Sequence, residues 1–228
     1  LIEPIDDFIV TDNLKPTLWW NESTDPDPGD QVVYDVYIST SPGFDVGLTT
    51  VAAGVGQLSW TPWWDLTEDK RYYWRVTARD TGGLQSHSST ESFRINTVAS
   101  PPGAFELVSP INNTMVRTSS FTLMWQEAAD PDPGDVVYYG ISYSSTTTAP
   151  PDPLLFDVTT THYQLTAAEL QEDAVYWWRV VARSMPDNLT RQSVGISSFT
   201  FNAINDPPGP FELVGSSGIV RTQRPLFK

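Results

Sequence analysis

The sequence predicts an all-β protein made of two tandem seven-stranded antiparallel β-sandwiches. Three observations support this prediction: a strand pattern that occurs twice, motif matches along both halves of the chain, and a composition rich in turn formers. The chain has 19 prolines and 14 glycines in 228 residues, as expected for many short strands joined by turns.

The central strand of each half shows the clearest pattern. Residues 72–78 read Tyr-Tyr-Trp-Arg-Val-Thr-Ala, and residues 176–182 read Tyr-Trp-Trp-Arg-Val-Val-Ala. Side chains on a strand alternate between two faces, so Tyr72 and Trp74 face the core whereas Arg75 faces solvent. Charged residues on one face only indicate an antiparallel sheet with one solvated side. A helix would place the arginine beside the aromatics.

Repeated motifs give the domain organisation. The motif Asp-Pro-Asp-Pro-Gly-Asp occurs at 25–30 and 130–135, and Phe-Glu-Leu-Val occurs at 105–108 and 211–214. The matching positions are 104 to 106 residues apart, as for Tyr72 and Tyr176 or Phe93 and Phe199. This period is about the length of one sandwich domain.

We therefore predict a first repeat, a short proline-rich linker, a second repeat, and a linker with the truncated start of a third repeat. These segments cover residues 1–97, 98–103, 104–204 and 205–228. One or two strands cannot bury a core alone, so we expect the last segment to form no third domain. No secretory signal opens the sequence, and residue 1 is not expected to be the native N-terminus.

Apolar alternation between turn signals predicts the remaining strands. In the first repeat they cover residues 8–10, 17–20, 34–38, 49–53, 58–60, 72–78 and 92–95. In the second repeat they cover residues 105–108 with 115–116, 121–125, 139–143, 155–158, 163–165, 176–182 and 198–201.

At the central strand the residues resemble the fibronectin type III domain. A leucine stands six positions before the tyrosine of Tyr-x-aromatic-Arg-Val-x-Ala in both repeats, as Leu66 with Tyr72 and Leu170 with Tyr176. The resemblance implies a tyrosine corner, in which the hydroxyl bonds to nearby backbone. The acidic motif and the Pro-Pro-Gly-x-Phe linker resemble repeats of bacterial cell-surface or secreted proteins, which implies an extracellular or cell-surface location.

Composition narrows the function classes. The formal net charge is −15 and the isoelectric point is about 4.2, which argues against nucleic acid and anionic membrane surfaces as partners. The chain has no cysteine and no apolar run of 18 residues, so neither a disulfide nor a membrane span is predicted. The two histidines, His87 and His162, occupy non-equivalent positions, and no Gly-x-Ser-x-Gly turn is present. The sequence therefore predicts a non-catalytic protein.

The acidic loops are the best candidate sites. Each loop carries three carboxylates within six residues: Asp25, Asp27 and Asp30 in the first repeat, and Asp130, Asp132 and Asp135 in the second. Such a cluster suits a hard cation such as calcium, although the loop lacks the twelfth-position Glu of an EF-hand. The alternative is a plain turn, since Asp and Pro initiate turns and Gly supplies a positive φ.

The resemblance also implies which residues meet between the repeats. Stacking fibronectin-like sandwiches head to tail would bring the second acidic loop toward Asp65, Glu68 and Asp69 of the first repeat. Crowded carboxylates repel, and calcium would relieve that repulsion. We therefore predict a divalent ion that stiffens the junction, with weaker binding at the first loop.

Aromatic residues divide into two groups. Trp20, Trp74, Trp125 and Trp178 follow the strand period and are predicted to be core. The second group is predicted to lie outside the core and comprises Trp19, Tyr37, Tyr73 and Trp177 on outward strand positions with Trp63 and Trp64 in a loop. Of these, Trp63, Trp64 and Trp177 are candidates for stacking on sugar rings.

Structural roles for the outward aromatics stay open as alternatives. Tyr73 is predicted to form a cation–π ladder with Arg75, and the loop pair can plug the end of a sandwich. The sequence thus favours a spacer whose partners are neighbouring repeats of the same chain. The alternative is an adhesion module that binds a glycan or a surface protein.

Overall fold

The computed structural model describes residues 1–210 of the chain. The prediction that the tail forms no third domain concerns residues 211–228 and lies outside the described residues. The strands of the first half are β1 (Phe8–Val10), β2 (Leu18–Trp19), β3 (Val33–Ser39), β4 (Thr49–Val55), β5 (Ser59–Trp60), β6 (Arg71–Arg79), β7 (Gln85–His87) and β8 (Glu91–Ile95).

The second half repeats this order with small changes. Its strands are β9 (Leu107–Ser109), β10 (Thr114–Val116), β11 (Ser120–Trp125), β12 (Val136–Ser144), β13 (His162–Thr166), β14 (Ala174–Met185), β15 (Thr190–Gln192) and β16 (Ser197–Phe201). A single 3-10 turn, Ala167–Glu169, precedes the central strand β14.

Each half has two sheets packed over one core. In the first half the larger sheet has the order β1-β8-β6-β3-β4, with β7 also paired to β6, and the second sheet is β2-β5. In the second half the sheets are β10-β16-β14-β12, with β15 on β14, and β13-β11-β9. The pairs β1–β8 and β10–β16 are parallel, and the other strand pairs are antiparallel. The predicted all-β tandem sandwich fold is confirmed.

Each half has eight strands, where seven were predicted. The first half adds β7, and the second half adds β15, has two strands (β9 and β10) where one was predicted, and lacks the strand predicted at residues 155–158. Strands β7 and β15 fold back on the central strand after a tight turn. In the first half Gly83 adopts a φ of 89°, and the amide of Leu84 donates to Asp80 Oδ1 at 2.8 Å. Strand β7 also covers Thr77, which is buried although it lies on the outward face of β6.

The prediction of a strand at residues 155–158 is wrong. This segment makes one isolated bridge, between Tyr139 and Val158. Pro150, Pro151 and Pro153 lie just before it, and proline has no N–H to donate to a sheet. The corresponding segment of the first half has no proline and forms the seven-residue strand β4.

The predicted core tryptophans are confirmed. Trp74 and Trp178 have 0% exposed surface, and Trp20 and Trp125 are also buried. An acceptor stabilises a buried indole N–H; those of Trp20 and Trp125 have none among residues 1–210, whereas those of the central strands do. The indole of Trp74 donates to the carbonyl of Pro4 at 2.7 Å, and that of Trp178 donates to the carbonyl of Pro110 at 3.1 Å.

The tyrosine corner implied by the resemblance is present in both repeats. The hydroxyl of Tyr72 accepts a hydrogen bond from the amide of Thr67 at 2.9 Å, and that of Tyr176 accepts one from the amide of Gln171 at 2.7 Å. Each bond fixes the turn that leads into the central strand. That turn carries Glu68 and Asp69 in the first repeat.

Replacing the central tryptophan tests this packing. The substitution Trp74→Ala removes a fully buried ring, and we expect a loss of about 3–5 kcal/mol of unfolding free energy. Trp19→Ala is the matched control, because Trp19 is 44% exposed and its loss should cost clearly less. Denaturant unfolding measures both values, and equal losses for the two variants would contradict the assigned register.

Candidate cation site at the repeat junction

Both acidic loops have the same backbone conformation. In the second repeat the amide of Asp132 donates to Asp130 Oδ1 at 2.9 Å, the amide of Asp135 donates to the carbonyl of Asp132 at 3.3 Å, and Gly134 has a φ of 96°. The first repeat has the same bonds, with Asp27 to Asp25 Oδ1 at 2.8 Å. An aspartate side-chain turn followed by a glycine turn therefore sets the path of each loop.

A tyrosine on the strand that follows each acidic loop, β3 or β12, binds the loop to the core. The hydroxyl of Tyr139 accepts from the amide of Ala128 at 2.9 Å, and the hydroxyl of Tyr34 accepts from the amide of Ser23 at 2.9 Å. Sequence reasoning placed both tyrosines in strands and missed this second role. The available signal was a tyrosine at the same position after each acidic motif.

The geometry within each loop suits a cation. One carboxylate oxygen from each of three aspartates can be chosen so that all three lie within 4.8 Å of one another, in both loops. These are Asp25, Asp27 and Asp30 in the first loop, and Asp130, Asp132 and Asp135 in the second. Three like charges at this separation repel one another.

The two loops differ in burial. Asp132 is only 6% exposed, and Asp130 and Asp135 are half-buried. The oxygens Asp130 Oδ2, Asp132 Oδ1 and Asp135 Oδ2 are shielded from solvent and have no hydrogen-bond partner among residues 1–210. In the first loop Asp27 and Asp30 are exposed, so water can solvate their carboxylates.

Burial changes the acidity of the second loop. Desolvation raises the pKa of Asp132, and the charges of Asp130, Asp69 and Asp187 raise it further against the lowering effect of the Ser100 amide. Desolvation also raises the pKa of Asp135, with Asp187 as the next cause. A raised pKa means that the ionised form is less stable in the folded chain than in the unfolded chain, so ionisation at neutral pH lowers stability.

Ser100 of the linker connects the two repeats at this point. Its amide donates to Asp132 Oδ2 at 2.7 Å, and its hydroxyl donates to Asp69 Oδ2 at 2.9 Å. Arg94, on the last strand of the first repeat, donates to the carbonyl of Pro131 at 3.4 Å. The second acidic loop therefore lies against the end of the first repeat that carries Asp69.

Glu68 holds the linker itself. Its Oε1 accepts from the amides of Thr97 and Val98, the latter at 3.2 Å, and its Oε2 accepts from the hydroxyl of Thr97 at 2.8 Å. The second repeat uses the same device, since Glu172 Oε1 accepts from the amide of Ile204 at 2.8 Å. This glutamate fixes the direction in which each linker leaves its repeat.

The three acidic residues of the first repeat that were expected at the junction have different partners. Asp69 faces the second loop through Ser100, Glu68 binds the linker, and Asp65 forms an exposed ion pair with Lys15 at 3.4 Å. Ser100 and Asp187 were missed by sequence reasoning. Asp187 lies in the turn between β14 and β15, and only the fold brings this turn close to the acidic loop.

The candidate glycan-binding tryptophans differ in how far their side chains are exposed to solvent. Trp63 is 71% exposed, and its ring centroid lies 4.6 Å from that of Trp64 and 6.3 Å from that of Trp60. Trp64 packs against the core of the first repeat. Trp177 is half-buried on the outward face of β14. Trp60, Trp63 and Trp64 pack against one another in one aromatic cluster, to which Trp177 does not belong.

The predicted cation–π contact forms with different rings. The guanidinium of Arg75 lies 5.1 Å from the ring centroid of Tyr37 and 4.4 Å from that of Phe44. Tyr37 is the direct neighbour of Arg75 across the β3–β6 pair. The neighbouring strand β3 and the loop that follows it supply the rings, whereas Tyr73 on the same strand as Arg75 does not.

The two histidines lie in different surroundings. Nδ1 of His87 is 2.9 Å from the hydroxyl of Thr77, and His162 is exposed at the start of β13. Within residues 1–210 the acidic groups close enough to share a metal are those of the two loops. The same part of the chain contains no helix long and apolar enough to cross a membrane.

Comparisons with known proteins give one family match, over the first repeat, and similar solved structures. Residues 1–98 match the family model described as the Rha78A-like, N-terminal immunoglobulin domain. The chain is also similar to the crystal structure of the chicken CNTN1 FN1-FN3 domains, at 16% identity and a TM-score of 0.48, over 87% of this chain and 64% of that chain. No curated protein matches. The structure shows two β-sandwich repeats in tandem, and the immunoglobulin domain model matches the first of them.

Removing the hydroxyl of Tyr139 tests how the loop is anchored. The substitution Tyr139→Phe leaves the buried amide of Ala128 without its acceptor, and we expect a loss of about 1–3 kcal/mol of unfolding free energy. Tyr34→Phe is the matched control in the first repeat. Its partner Ser23 is only partly buried, so water can replace the hydroxyl and the loss should be smaller. Chemical denaturation compares the two, and hydrogen exchange at Ala128 should accelerate in Tyr139→Phe alone.

Proposed function

We propose that this chain is a pair of non-catalytic structural repeats that act as a spacer in an extracellular protein, stiffened by calcium at the acidic loop of the repeat junction. Residues 1–98 match an immunoglobulin domain model, and domains of this class are commonly extracellular and typically non-catalytic. The class itself does not select a ligand, because unrelated functions share such folds. The proposal therefore depends on the junction.

The hydrogen bonds of the linker are the main observation that supports the proposal. Residues 97–100 are bonded to Glu68 and Asp69 on one side and to Asp132 on the other. A spacer needs a fixed angle between its repeats, and short linkers whose backbone groups are bonded on both sides restrict that angle. Carboxylates make these bonds, so the charge state of the junction and its stiffness are linked.

Calcium is the cation that fits this role. It accepts six to eight oxygen ligands with flexible geometry, and carboxylates are its usual protein ligands. The chain has 28 acidic and 13 basic residues, so bound cations would also reduce its general repulsion. The neighbouring repeats of the same chain are the partners in this proposal.

Small-angle scattering with calcium and with a chelator tests the spacer. We expect calcium to narrow the distribution of interdomain distances and to increase thermal stability, by about 2.7 kcal/mol at a free calcium concentration of about 100 times Kd. Glu68→Ala is the control for the linker and should broaden the distribution in either condition. Identical scattering and melting with calcium and chelator would refute calcium stiffening, and a broad distribution for the wild type in both would refute the spacer.

A second candidate function is a glycan- or protein-binding adhesion module. One observation favours it: Trp63 is 71% exposed and sits beside Trp60 and Trp64. Exposed aromatic rings provide rigid contact area for a partner. A glycan array with the wild type and with Trp63→Ala tests this candidate. Glycan binding that is lost in Trp63→Ala would support the adhesion module. If the wild type binds no glycan, glycan binding is excluded as the function of this surface.

A further inference from the structure

We infer that the chain holds one divalent cation between its two repeats, bound by Asp130, Asp132 and Asp135 of the second loop and completed by Asp69 of the first repeat. This inference rests on the proposed function and specifies its site. It differs from calcium binding at each acidic loop, because it assigns one ion per junction and makes the preceding repeat part of the site.

The first argument is the state of four carboxylate oxygens. Asp69 Oδ1, Asp130 Oδ2, Asp132 Oδ1 and Asp135 Oδ2 are all shielded from solvent and have no hydrogen-bond partner among residues 1–210. A buried carboxylate oxygen without a donor is costly. Four of them, contributed by both repeats, indicate a missing positive partner.

The second argument is that no side chain of the described part neutralises these groups. The four ion pairs among residues 1–210 involve Asp7, Asp35, Asp65 and Asp152. Arg94 and Arg71 line the same cleft of about 310 Å³ as the second loop. Arg94 bonds to the carbonyl of Pro131, however, and Arg71 pairs with Asp7. The loop carboxylates therefore keep an uncompensated charge.

The third argument is the arrangement of the remaining oxygens. Ser100 bonds to Asp69 Oδ2 and Asp132 Oδ2, and Asp130 Oδ1 accepts from the amide of Asp132. The linker and the loop backbone thus occupy one oxygen of each of these carboxylates and leave the other available. One carboxylate oxygen from each of Asp130, Asp132 and Asp135 can be chosen so that the three lie within 4.8 Å of one another, which is the spread expected of ligands 2.3–2.6 Å from a shared calcium. Asp69 is not among the groups within 4.8 Å; it is bonded to the loop through Ser100, and in this proposal it reaches the ion through a bound water.

The first loop is the internal comparison. It has the same motif and the same turn geometry, and its carboxylate oxygens also come within 4.8 Å. Asp27 and Asp30 are exposed, and the half-buried Asp25 has no buried oxygen without a partner. Exposed carboxylates keep their hydration, so a cation gains little by displacing water there. The motif alone is therefore insufficient, and burial against a preceding repeat completes the site.

The donor set selects the class of ion. All four groups are carboxylates, and the described residues supply neither histidine nor thiolate at the site. Hard divalent cations prefer oxygen ligands, and calcium tolerates irregular geometry better than magnesium does. The ion also holds residues of both repeats, so its binding should restrain the angle between them.

Calcium titration by calorimetry on the whole chain tests the site. We expect one ion per chain for the wild type. Asp132→Asn and Asp69→Asn should each weaken binding by at least about tenfold, as expected when a carboxylate near a metal is lost. Asparagine keeps the shape of aspartate and tolerates the left-handed conformation of Asp69, which has a φ of 60°.

The equivalent positions of the other repeat provide matched controls. Asp27→Asn changes the first loop, and Asp173→Asn changes the residue of the second repeat that corresponds to Asp69, with a φ of 57°. Both should leave Kd within about twofold of the wild type, as for distant surface substitutions. Ser100→Ala is a second route to Asp69: it keeps the amide bond to Asp132 and removes the hydroxyl that holds Asp69, so it should also weaken binding.

Each result separates the site from the proposed function. Two ions per chain, or equal effects of Asp27→Asn and Asp132→Asn, would overturn the single junction site. Wild-type affinity in both Asp69→Asn and Ser100→Ala would overturn the role of the first repeat while leaving calcium in the loop. One bound ion with the expected variants but unchanged scattering would support the site and refute stiffening. No calcium heat in the wild type would overturn the site and leave the calcium-free spacer.

Discussion

The buried tryptophan of the central strand is the constraint on which each sandwich depends. Trp74 and Trp178 have no exposed surface, and each indole donates to a carbonyl of the segment that opens its repeat. A shift of the strand by one residue would move the ring into solvent and leave its N–H without an acceptor. The register of β6 and β14 is therefore fixed. This register also fixes the positions of the turns at both ends of each sandwich, including the turn that carries Asp69.

Features set by local patterns could be predicted from the sequence. Period-two alternation predicted the faces of the central strands, and the resemblance to the fibronectin type III domain, carried by Leu66 and Tyr72, implied the tyrosine corner. Features that depend on flanking residues or on residues of another strand could not be predicted in this way. Apolar residues at 155–158 suggested a strand, but the prolines before them prevent regular pairing. Arg75 was assigned to the wrong ring, because its partner Tyr37 lies on an adjacent strand.

The candidate site was predictable only in part, for a similar reason. The acidic motif is visible in the sequence, and the resemblance placed Asp69 near the second loop. Burial of that loop was not visible, because it depends on the contact between Ser100 and Asp132, which are 32 residues apart. The approach of Asp187 likewise depends on the hairpin of β14 and β15. A motif specifies which groups are present, whereas the neighbouring repeat decides whether they are solvated.

The two acidic loops separate motif from environment within one molecule. Their sequence, turn bonds and glycine conformation are the same. They differ in what lies against them: solvent covers Asp27 and Asp30, whereas the first repeat and its linker cover Asp132. Removing water from a carboxylate lowers stability unless a donor or a cation replaces it. Ser100 supplies one donor to Asp132 and one to Asp69, so the contact that aligns the repeats is also the contact that desolvates the loop. In the proposed function, a cation bound at this loop would therefore also stabilise the alignment of the repeats.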